Sequence, residues 1–291
     1  MRTLRLLVIG NSLAENPLTH LQDISASTGQ LHLVIGHATL GGCSLAKHWR
    51  LAEYTAQHPE YKTYQFDLGG GATPGAMTRA MNLQEALAAE PWDIVTLNQA
   101  SIPGPRIESF RPWLPLLHGM VRELAPNAEI MLNQTWAYRE DAPYLIEKGL
   151  TSDSMYERLR ANYAHYANEL GCRVIPTGEA IQRFRRMPDR RFSFPDPDFD
   201  YVGAQAPALP RQDNSLSVGW YWSINDSPDG IPQLLLDFNH LNSAGAYLAG
   251  CVWLESLSSI DARTATFIPG GVTADLAGEL RELAHAVCTR S

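Results

Sequence analysis

Short runs of branched aliphatic residues alternate along this chain with longer amphipathic stretches, and that alternation limits the folds it can adopt. Residues 4–9 predict a buried strand, because the run is short, apolar and closed by Gly10. Further strands are predicted at residues 31–35, 61–68, 92–97, 129–133, 172–175 and 233–236. Helices are predicted from an Asn16 cap to Gly29 and at residues 44–57, 78–89, 108–124, 154–170, 242–257 and 274–287. This order predicts a mostly parallel sheet between two layers of helices, a three-layer α/β/α sandwich.

Length and composition fit one domain with a full core. The chain has 291 residues, of which 45% are hydrophobic and 19% charged, as in ordinary globular proteins. Residues 188–232 differ from the rest, because they are rich in proline, aspartate and aromatic residues and predict little regular structure. A loop of that length inside a compact domain is usually functional or disordered. We therefore expect a single domain over residues 1–291, with an irregular, aromatic-rich insertion at about 188–232 near the functional site.

Charge and cysteine content exclude several classes of function. The chain has 23 Lys and Arg residues against 31 Asp and Glu residues, a net charge of −8, whereas nucleic-acid binding needs a cationic surface. Its apolar runs are far shorter than the ~20 residues of a membrane-spanning helix, and no small-residue cleavage site follows the first apolar run. Four cysteines lie far apart without a Cys-x-x-Cys pair: Cys43, Cys172, Cys251 and Cys288. We expect a cytoplasmic protein that binds neither nucleic acid nor membrane and uses no metal or organic cofactor.

Polar residues and glycines follow four of the predicted strands at the point where each strand ends. They are Ser12, Gly41-Gly42, Asn98-Gln99 and the run Asp237-Phe238-Asn239-His240. Because open parallel sheets bind ligands at the carboxyl ends of their strands, we expect these groups to converge. A hydroxyl, an imidazole, a carboxylate and several N–H donors are the groups that acyl transfer requires.

Each of these groups has a definite place in such a reaction. Ser12 would be the nucleophile and His240 its general base, while Asp237 would hold the imidazole in the productive tautomer. An oxyanion hole would stabilise the negative charge of the tetrahedral intermediate. Its donors would be the backbone N–H groups of Ser12 and Gly42 and an amide of Asn98 or Gln99.

Taken singly, each motif also has a structural explanation. A Gly-Asn-Ser turn after a strand is common, and Asp237 could cap the helix that starts near Asn242. Two adjacent glycines could be only a tight turn, and the glycine-rich segment 69–74 lacks the spacing of a phosphate loop and is expected to be a flexible connection. The four groups follow successive predicted strands, and this order favours one shared catalytic site over four unrelated structural roles.

These blocks resemble those of the SGNH (GDSL-like) hydrolase superfamily, which has a Gly-Asp-Ser motif, a glycine block, a Gly-x-Asn-Asp block and an Asp-x-x-His block. The corresponding residues here are Ile9-Gly10-Asn11-Ser12-Leu13, Gly41-Gly42-Cys43-Ser44-Leu45, Leu97-Asn98-Gln99-Ala100-Ser101 and Asp237-Phe238-Asn239-His240-Leu241. The resemblance spans residues 4–257. It implies a flavodoxin-like fold around a five-stranded sheet, and the Ser12, His240 and Asp237 triad of a serine hydrolase.

The chain departs from the superfamily pattern in two blocks. Asn11 replaces the aspartate of the first block, next to the nucleophile. The third block lacks Gly-x-Asn-Asp, and a glutamine at this place in some carbohydrate-acetyl esterases of the superfamily favours Gln99 over Asn98 as the third oxyanion donor. The pattern is most similar to a branch with a Gly-Asn-Ser first block.

The sequence therefore predicts a serine esterase that hydrolyses a small acyl ester, most simply the O-acetyl group of a carbohydrate. Trp136, Trp220 and Trp222 could bind the substrate, because flat apolar rings suit pyranose sugars, although the same aromatic residues could form a packed accessory surface. Two alternatives stay open. One is a thioesterase or lysophospholipase on the same fold, and the other is a carbohydrate-binding protein that has lost catalysis.

Overall fold

A computed structural model describes residues 1–66, 68, 79–225 and 229–289 of the chain. The strands are β1 (Arg2–Gly10), β2 (Leu31–Thr39), β3 (Tyr64–Phe66), β4 (Arg79–Met81), β5 (Ile94–Leu97), β6 (Glu129–Asn133), β7 (Arg173–Ile175), β8 (Ser217–Ser223) and β9 (Gln233–Leu241). The helices are α1 (Ser12–Ser27), α2 (Leu45–Gln57), α3 (Leu83–Ala88), α4 (Trp113–Leu124), α5 (Pro143–Lys148), α6 (Ser152–Leu170), α7 (Thr177–Arg186), α8 (Ser243–Ser258) and α9 (Ala274–Cys288).

Five parallel strands form the central sheet, in the order β2-β1-β5-β6-β7. Strand β1 lies inside the sheet, and its side chains alternate between two apolar clusters. Leu4, Leu6 and Val8 pack with α1, α7, α8 and α9, whereas Leu7 and Ile9 pack with α2, α3, α4 and α6. The predicted α/β fold, with a five-stranded parallel sheet between helical layers, is confirmed.

The close packing of α8 on α1 fixes the helix that follows β1. Almost every residue of α8 is buried, and a Cβ atom at Gly250 would lie 2.8 Å from Ile24 Cδ1 and 3.2 Å from the carbonyl oxygen of Pro17. A side chain at position 250 would therefore displace Ile24 and push the two helices slightly apart, and glycine permits their close approach. Because α8 begins just after β9, the contact also brings the end of β9 towards the start of α1.

Several predicted elements differ from those observed. The first helix begins at Ser12 with Asn11 as its cap, not at Asn16. The predicted helix 78–89 is wrong in its first half, because residues 79–81 form β4 and α3 begins only at Leu83. Helices α5 and α7 were not predicted. The glycine-rich segment 69–74 and residue 78 lie outside the described residues.

The aromatic-rich insertion contains a strand that its composition did not predict. Residues 217–223 form β8, which pairs antiparallel with β9 in a two-stranded hairpin. The Asp-x-x-His run therefore ends a strand of this hairpin, and the expectation that it follows a strand of the main sheet is wrong. Among the described residues, no helix has the length and apolar character needed to cross a membrane.

Candidate active site

Ser12 is the first residue of α1 and lies directly beyond the carboxyl end of β1. Asn11 caps the helix, because its Oδ1 accepts a hydrogen bond of 3.1 Å from the N–H of Leu13. The Ser12 side chain is partly exposed. The hydroxyl is thus held at the N-terminus of a helix, at the end of an interior strand and open to solvent.

The loop before Ser12 packs tightly against the third block. A Cβ atom at position 10 would lie 2.1 Å from Asn98 Oδ1, so only glycine fits there. Asn98 Nδ2 donates to Asn11 Oδ1 at 3.2 Å and to the carbonyl oxygen of Gln99 at 3.1 Å. Asn98 is buried, and its carboxamide reaches the residue that precedes Ser12.

The turn that carries Gly42 is tied to the same loop. Asn11 Nδ2 donates to the carbonyl oxygen of Cys43 at 2.9 Å, and Gly42 has a φ of 61°, a left-handed conformation that favours glycine. In the part of the chain that the structure describes, the backbone N–H groups of Ser12 and Gly42 have no acceptor. Two N–H donors on segments joined through Asn11 are therefore available to a ligand.

His240 and Asp237 converge on Ser12 from the hairpin. The Ser12 hydroxyl donates to His240 Nε2 at 2.7 Å, and His240 Nδ1 donates to Asp237 Oδ2 at 2.8 Å. The second carboxylate oxygen, Oδ1, accepts from the backbone N–H groups of Asn239 and His240 at 3.3 and 3.0 Å. The three groups thus form one continuous chain of hydrogen bonds, with the imidazole oriented by the carboxylate.

The carboxyl group of Asp237 is held in its charged form. Burial by itself raises the pKa of Asp237, but hydrogen bonds from the imidazole and backbone of His240 and from the Asn239 N–H outweigh it, so the pKa lies below its ordinary value. Asp237 is therefore a carboxylate at neutral pH. A fixed negative charge beside His240 Nδ1 stabilises an imidazolium when one forms.

Gln99 does not present a donor to Ser12. Its Nε2 donates to both the carbonyl oxygen and the hydroxyl of Ser109, at 2.9 and 3.2 Å. Its Oε1 accepts from the N–H groups of Leu45 and Ala100. The prediction of Gln99 as the third oxyanion donor is wrong, because its amide donates to Ser109 instead. This buried side chain joins the start of α2 to the loop after β5.

The three candidate tryptophans do not line a common surface. Trp136 is 1% exposed, and its indole N–H donates to the carbonyl oxygen of Asn239 at 2.7 Å, so its prediction as a sugar-binding residue was wrong. Trp222 donates to the carbonyl oxygen of Ala208, and Trp220 contacts the ring of Tyr201. Both partly buried rings pack on the insertion, on the hairpin that also carries Asp237.

Glu15 is a charged residue near the candidate nucleophile Ser12 that the sequence analysis missed. It lies one turn after Ser12, and its carboxylate accepts from Thr39 Oγ1 at 2.5 Å and contacts His37 Nδ1 at 3.1 Å. Burial raises the pKa of Glu15, but the hydrogen bonds and charge of His37, together with Thr39, lower it overall. The i, i+3 spacing to the candidate nucleophile Ser12 is the signal that could have identified Glu15, since such residues share one helix face.

A buried histidine supports the carbonyl group at the end of β1. His48 Nε2 lies 2.9 Å from the Gly10 carbonyl oxygen, which can only accept, so this nitrogen carries the proton. His48 Nδ1 then accepts from the hydroxyl of Tyr64 at 2.8 Å. Burial lowers the pKa of His48 to about 4, which keeps the ring neutral beneath the Ser12 loop.

A cavity of about 730 Å³ lies elsewhere, along β7 and between α6 and the ends of α8 and α9. It contains none of the predicted site residues. Within the described ranges it holds a group of metal-ligand type, Glu255, Asp261 and His285. His285 Nδ1 bonds to Glu255 at 2.8 Å, and the Asp261 carboxylate bonds to the guanidinium of Arg263 at 2.7 Å. These side chains already satisfy one another, and we assign no metal to them.

Known proteins share this architecture. Residues 5–190 match the family described as "Domain of unknown function (DUF4886)". The crystal structure of a DUF4886 family protein from Bacteroides uniformis ATCC 8492 has a TM-score of 0.72 and 24% sequence identity, covering 99% of this chain and 95% of that chain. No curated protein matches the chain.

A second solved structure connects the fold to the predicted superfamily. A protein from Slackia heliotrinireducens, whose description places it with the SGNH hydrolases, has a TM-score of 0.51 and 20% identity. The match covers 87% of this chain and 98% of that chain. Both likenesses concern the fold, and the predicted SGNH hydrolase fold is confirmed.

Replacing Asn11 by aspartate tests the junction below Ser12. In Asn11→Asp the side chain still caps α1, but a carboxylate cannot donate to the carbonyl oxygen of Cys43, which is left unpaired. We expect the free energy of unfolding to fall by about 1–3 kcal/mol in urea denaturation at pH 7. Asn16→Asp, the same change on the next turn of α1, is the control, because the side chain there only accepts a hydrogen bond. It should lower the free energy of unfolding by less. Equal losses for the two variants would contradict the role given to Asn11 Nδ2.

The lowered pKa of His48 predicts how the free energy of unfolding depends on pH. A histidine whose pKa is about 4 when folded and ~6.5 when unfolded binds more protons in the unfolded state between those values. Stability is therefore lost as the pH falls from 6.5 to 4, by up to about 3 kcal/mol. In His48→Gln, whose amide can still donate to Gly10, this contribution disappears.

Urea denaturation of both proteins at pH 7, 6, 5 and 4 gives the measurement. The difference in free energy of unfolding between the wild type and His48→Gln should shrink as the pH is lowered. Groups other than His48 contribute equally to both proteins and cancel in this difference. A constant difference across this range would show that His48 is not neutral in the folded protein.

Proposed function

This chain is a member of the DUF4886 family with the SGNH hydrolase fold, and we propose that it is a serine esterase. The observation that carries the proposal is the hydrogen-bonded chain from Ser12 Oγ to His240 Nε2 and from His240 Nδ1 to Asp237. Such a chain can transfer the serine proton to the imidazole while the carboxylate stabilises the resulting charge. A partly exposed hydroxyl at the carboxyl end of a parallel sheet supports the same function.

The first half of the reaction forms an acyl-enzyme. Ser12 Oγ attacks the ester carbonyl carbon as its proton passes to His240 Nε2, and the carbonyl oxygen becomes an oxyanion. The free N–H groups of Ser12 and Gly42 are its proposed donors. The Asn98 amide, which already donates to Asn11 and to the carbonyl oxygen of Gln99, supports the Ser12 loop. When the intermediate collapses, the C–O bond to the alcohol breaks and the alcohol takes the proton from His240.

The second half regenerates the enzyme with water as the nucleophile. His240 Nε2 removes a proton from water while the water oxygen attacks the acyl carbon bound to Ser12. The second intermediate uses the same oxyanion donors, and its collapse releases the carboxylic acid and returns the proton to Ser12 Oγ. Asp237 stays ionised throughout, consistent with its lowered pKa.

For the substrate we propose a small acyl ester of a neutral, hydroxyl-rich alcohol, with a carbohydrate O-acetyl group as the preferred case. The net charge of −8 and the ionised Glu15, whose Cβ lies ~5–6 Å from that of Ser12 by helix geometry, repel phosphate-bearing thioesters and lysophospholipids. The carboxylate of Glu15 can accept hydrogen bonds from sugar hydroxyls. Trp220 and Trp222, partly exposed on the hairpin of Asp237 and His240, remain candidates for contact with a sugar ring.

Substitution of the triad tests the activity directly. We expect wild-type protein to hydrolyse p-nitrophenyl acetate, and Ser12→Ala and His240→Ala to lose at least 10³-fold in kcat, because either change removes the proton-transfer chain. Asp237→Asn should also lose activity, since the amide can stabilise the wrong imidazole tautomer. Wild-type turnover equal to that of Ser12→Ala would remove the esterase and favour a binding protein that lacks catalysis.

Substrate preference is tested with esters that differ in acyl length and in charge. We expect kcat/KM to be highest for acetyl in a p-nitrophenyl series from acetate to octanoate, and glucose pentaacetate to be hydrolysed faster than acetyl-CoA. In Glu15→Gln the discrimination against acetyl-CoA should weaken, while p-nitrophenyl acetate, which is uncharged, should change little. A maximum at octanoate, or an undiminished preference in Glu15→Gln, would contradict this substrate assignment.

A further inference from the structure

The backbone on both sides of His240 is held by side chains from other parts of the chain. The carbonyl oxygen of Asn239 accepts from the indole N–H of Trp136 at 2.7 Å, and the N–H of Leu241 donates to Asn16 Oδ1 at 2.9 Å. Trp136 follows β6 of the central sheet, whereas Asn16 lies on α1. His240 is therefore fixed between two elements to which its own hairpin is not paired.

Asn16 lies one helical turn beyond Ser12. Residues at i and i+4 share one face of a helix, with Cβ atoms ~5–6 Å apart, so Ser12 and Asn16 face the end of β9 together. One turn further, His20 Nε2 lies 3.3 Å from Ser243 Oγ. Three successive turns of α1 thus contact His240, Leu241 and Ser243 in the same order.

This arrangement fixes the distance across which the serine proton moves. Leu241 is buried, so its N–H needs an acceptor inside the protein. Asn16 supplies that acceptor from the same rigid helix that carries Ser12. Any shift of the backbone at residue 241 relative to α1 changes the separation of His240 Nε2 and Ser12 Oγ.

We propose that Asn16 is a positioning residue, which sets the catalytic imidazole of His240 against Ser12 through the backbone N–H of Leu241, with Trp136 as the opposing anchor. The assignment rests on the proposed function of the Ser12, His240 and Asp237 group. Small displacements of reacting groups cost large factors in rate, so this contact between α1 and the hairpin contributes to kcat although Asn16 touches no reacting atom.

The experiment compares three variants on α1. Asn16→Ala removes the acceptor, Asn16→Asp keeps it, and Thr19→Ala is the control on an exposed position of the same helix. With p-nitrophenyl acetate we expect Asn16→Ala to lose about 10-fold in kcat with KM changed less than twofold. Thr19→Ala should keep wild-type kcat.

Asn16→Asp should restore most of kcat, which a loss of packing alone would not explain. An unchanged kcat in Asn16→Ala, or no recovery in Asn16→Asp, would overturn the proposal.

A spectroscopic readout separates this proposal from the esterase assignment. The imidazole ¹⁵N resonances of His240 report its hydrogen bond to Ser12 without requiring turnover. In Asn16→Ala we expect the Nε2 resonance to shift from its wild-type position, and in Thr19→Ala to stay there. Identical Nε2 resonances in all variants would refute the positioning role, whereas lack of wild-type turnover would refute only the function.

Discussion

The hydrogen bond between Ser12 and His240 joins residues 228 positions apart in the chain, and the rest of the site depends on it. Ser12 is fixed by the central sheet, but among the residues that the structure describes β9 pairs only with β8, outside that sheet. Sheet formation alone therefore cannot align the two residues. The alignment comes from side-chain bonds to the backbone of β9, and from the close packing of α8 on α1 at Gly250. The reactive geometry is thus a tertiary property rather than a consequence of strand order.

The buried guanidinium of Arg139 helps to anchor the insertion of residues 188–232. Arg139 forms two hydrogen bonds of 2.6 Å with Asp141, and both side chains are almost inaccessible to solvent. The guanidinium also donates to Gln212 at 2.8 Å and lies 4.5 Å from the ring of Phe192. The Arg139 backbone N–H donates to the carbonyl oxygen of Phe238 at 3.0 Å. Because one residue contacts the insertion and β9 together, the irregular segment is coupled to the strand that carries Asp237 and His240.

The parallel sheet and the triad candidates could be predicted because they depend on local patterns. Strand β6 has the predicted bounds, Glu129–Asn133, because its short apolar run is buried in any α/β fold. The start of α1 could not be predicted in the same way. Asn16-Pro17 has the local pattern of a helix start, whereas Asn11 is selected as the cap by tertiary bonds to Cys43 and Asn98. The same limitation explains Trp136, whose bond to Asn239 spans 103 residues.

The asparagine in the first block follows from the bonds that its side chain makes. Asn11 Oδ1 accepts from the N–H of Leu13 and from Asn98, while Nδ2 donates to the carbonyl oxygen of Cys43. A carboxylate could make the first two bonds but would face the carbonyl without a proton to share. A hydroxyl could donate to Cys43, but its single oxygen would have to reach all three partners. Only a carboxamide both accepts two hydrogen bonds and donates one to Cys43. The residue beside the proposed nucleophile is therefore matched to the turn that presents Gly42.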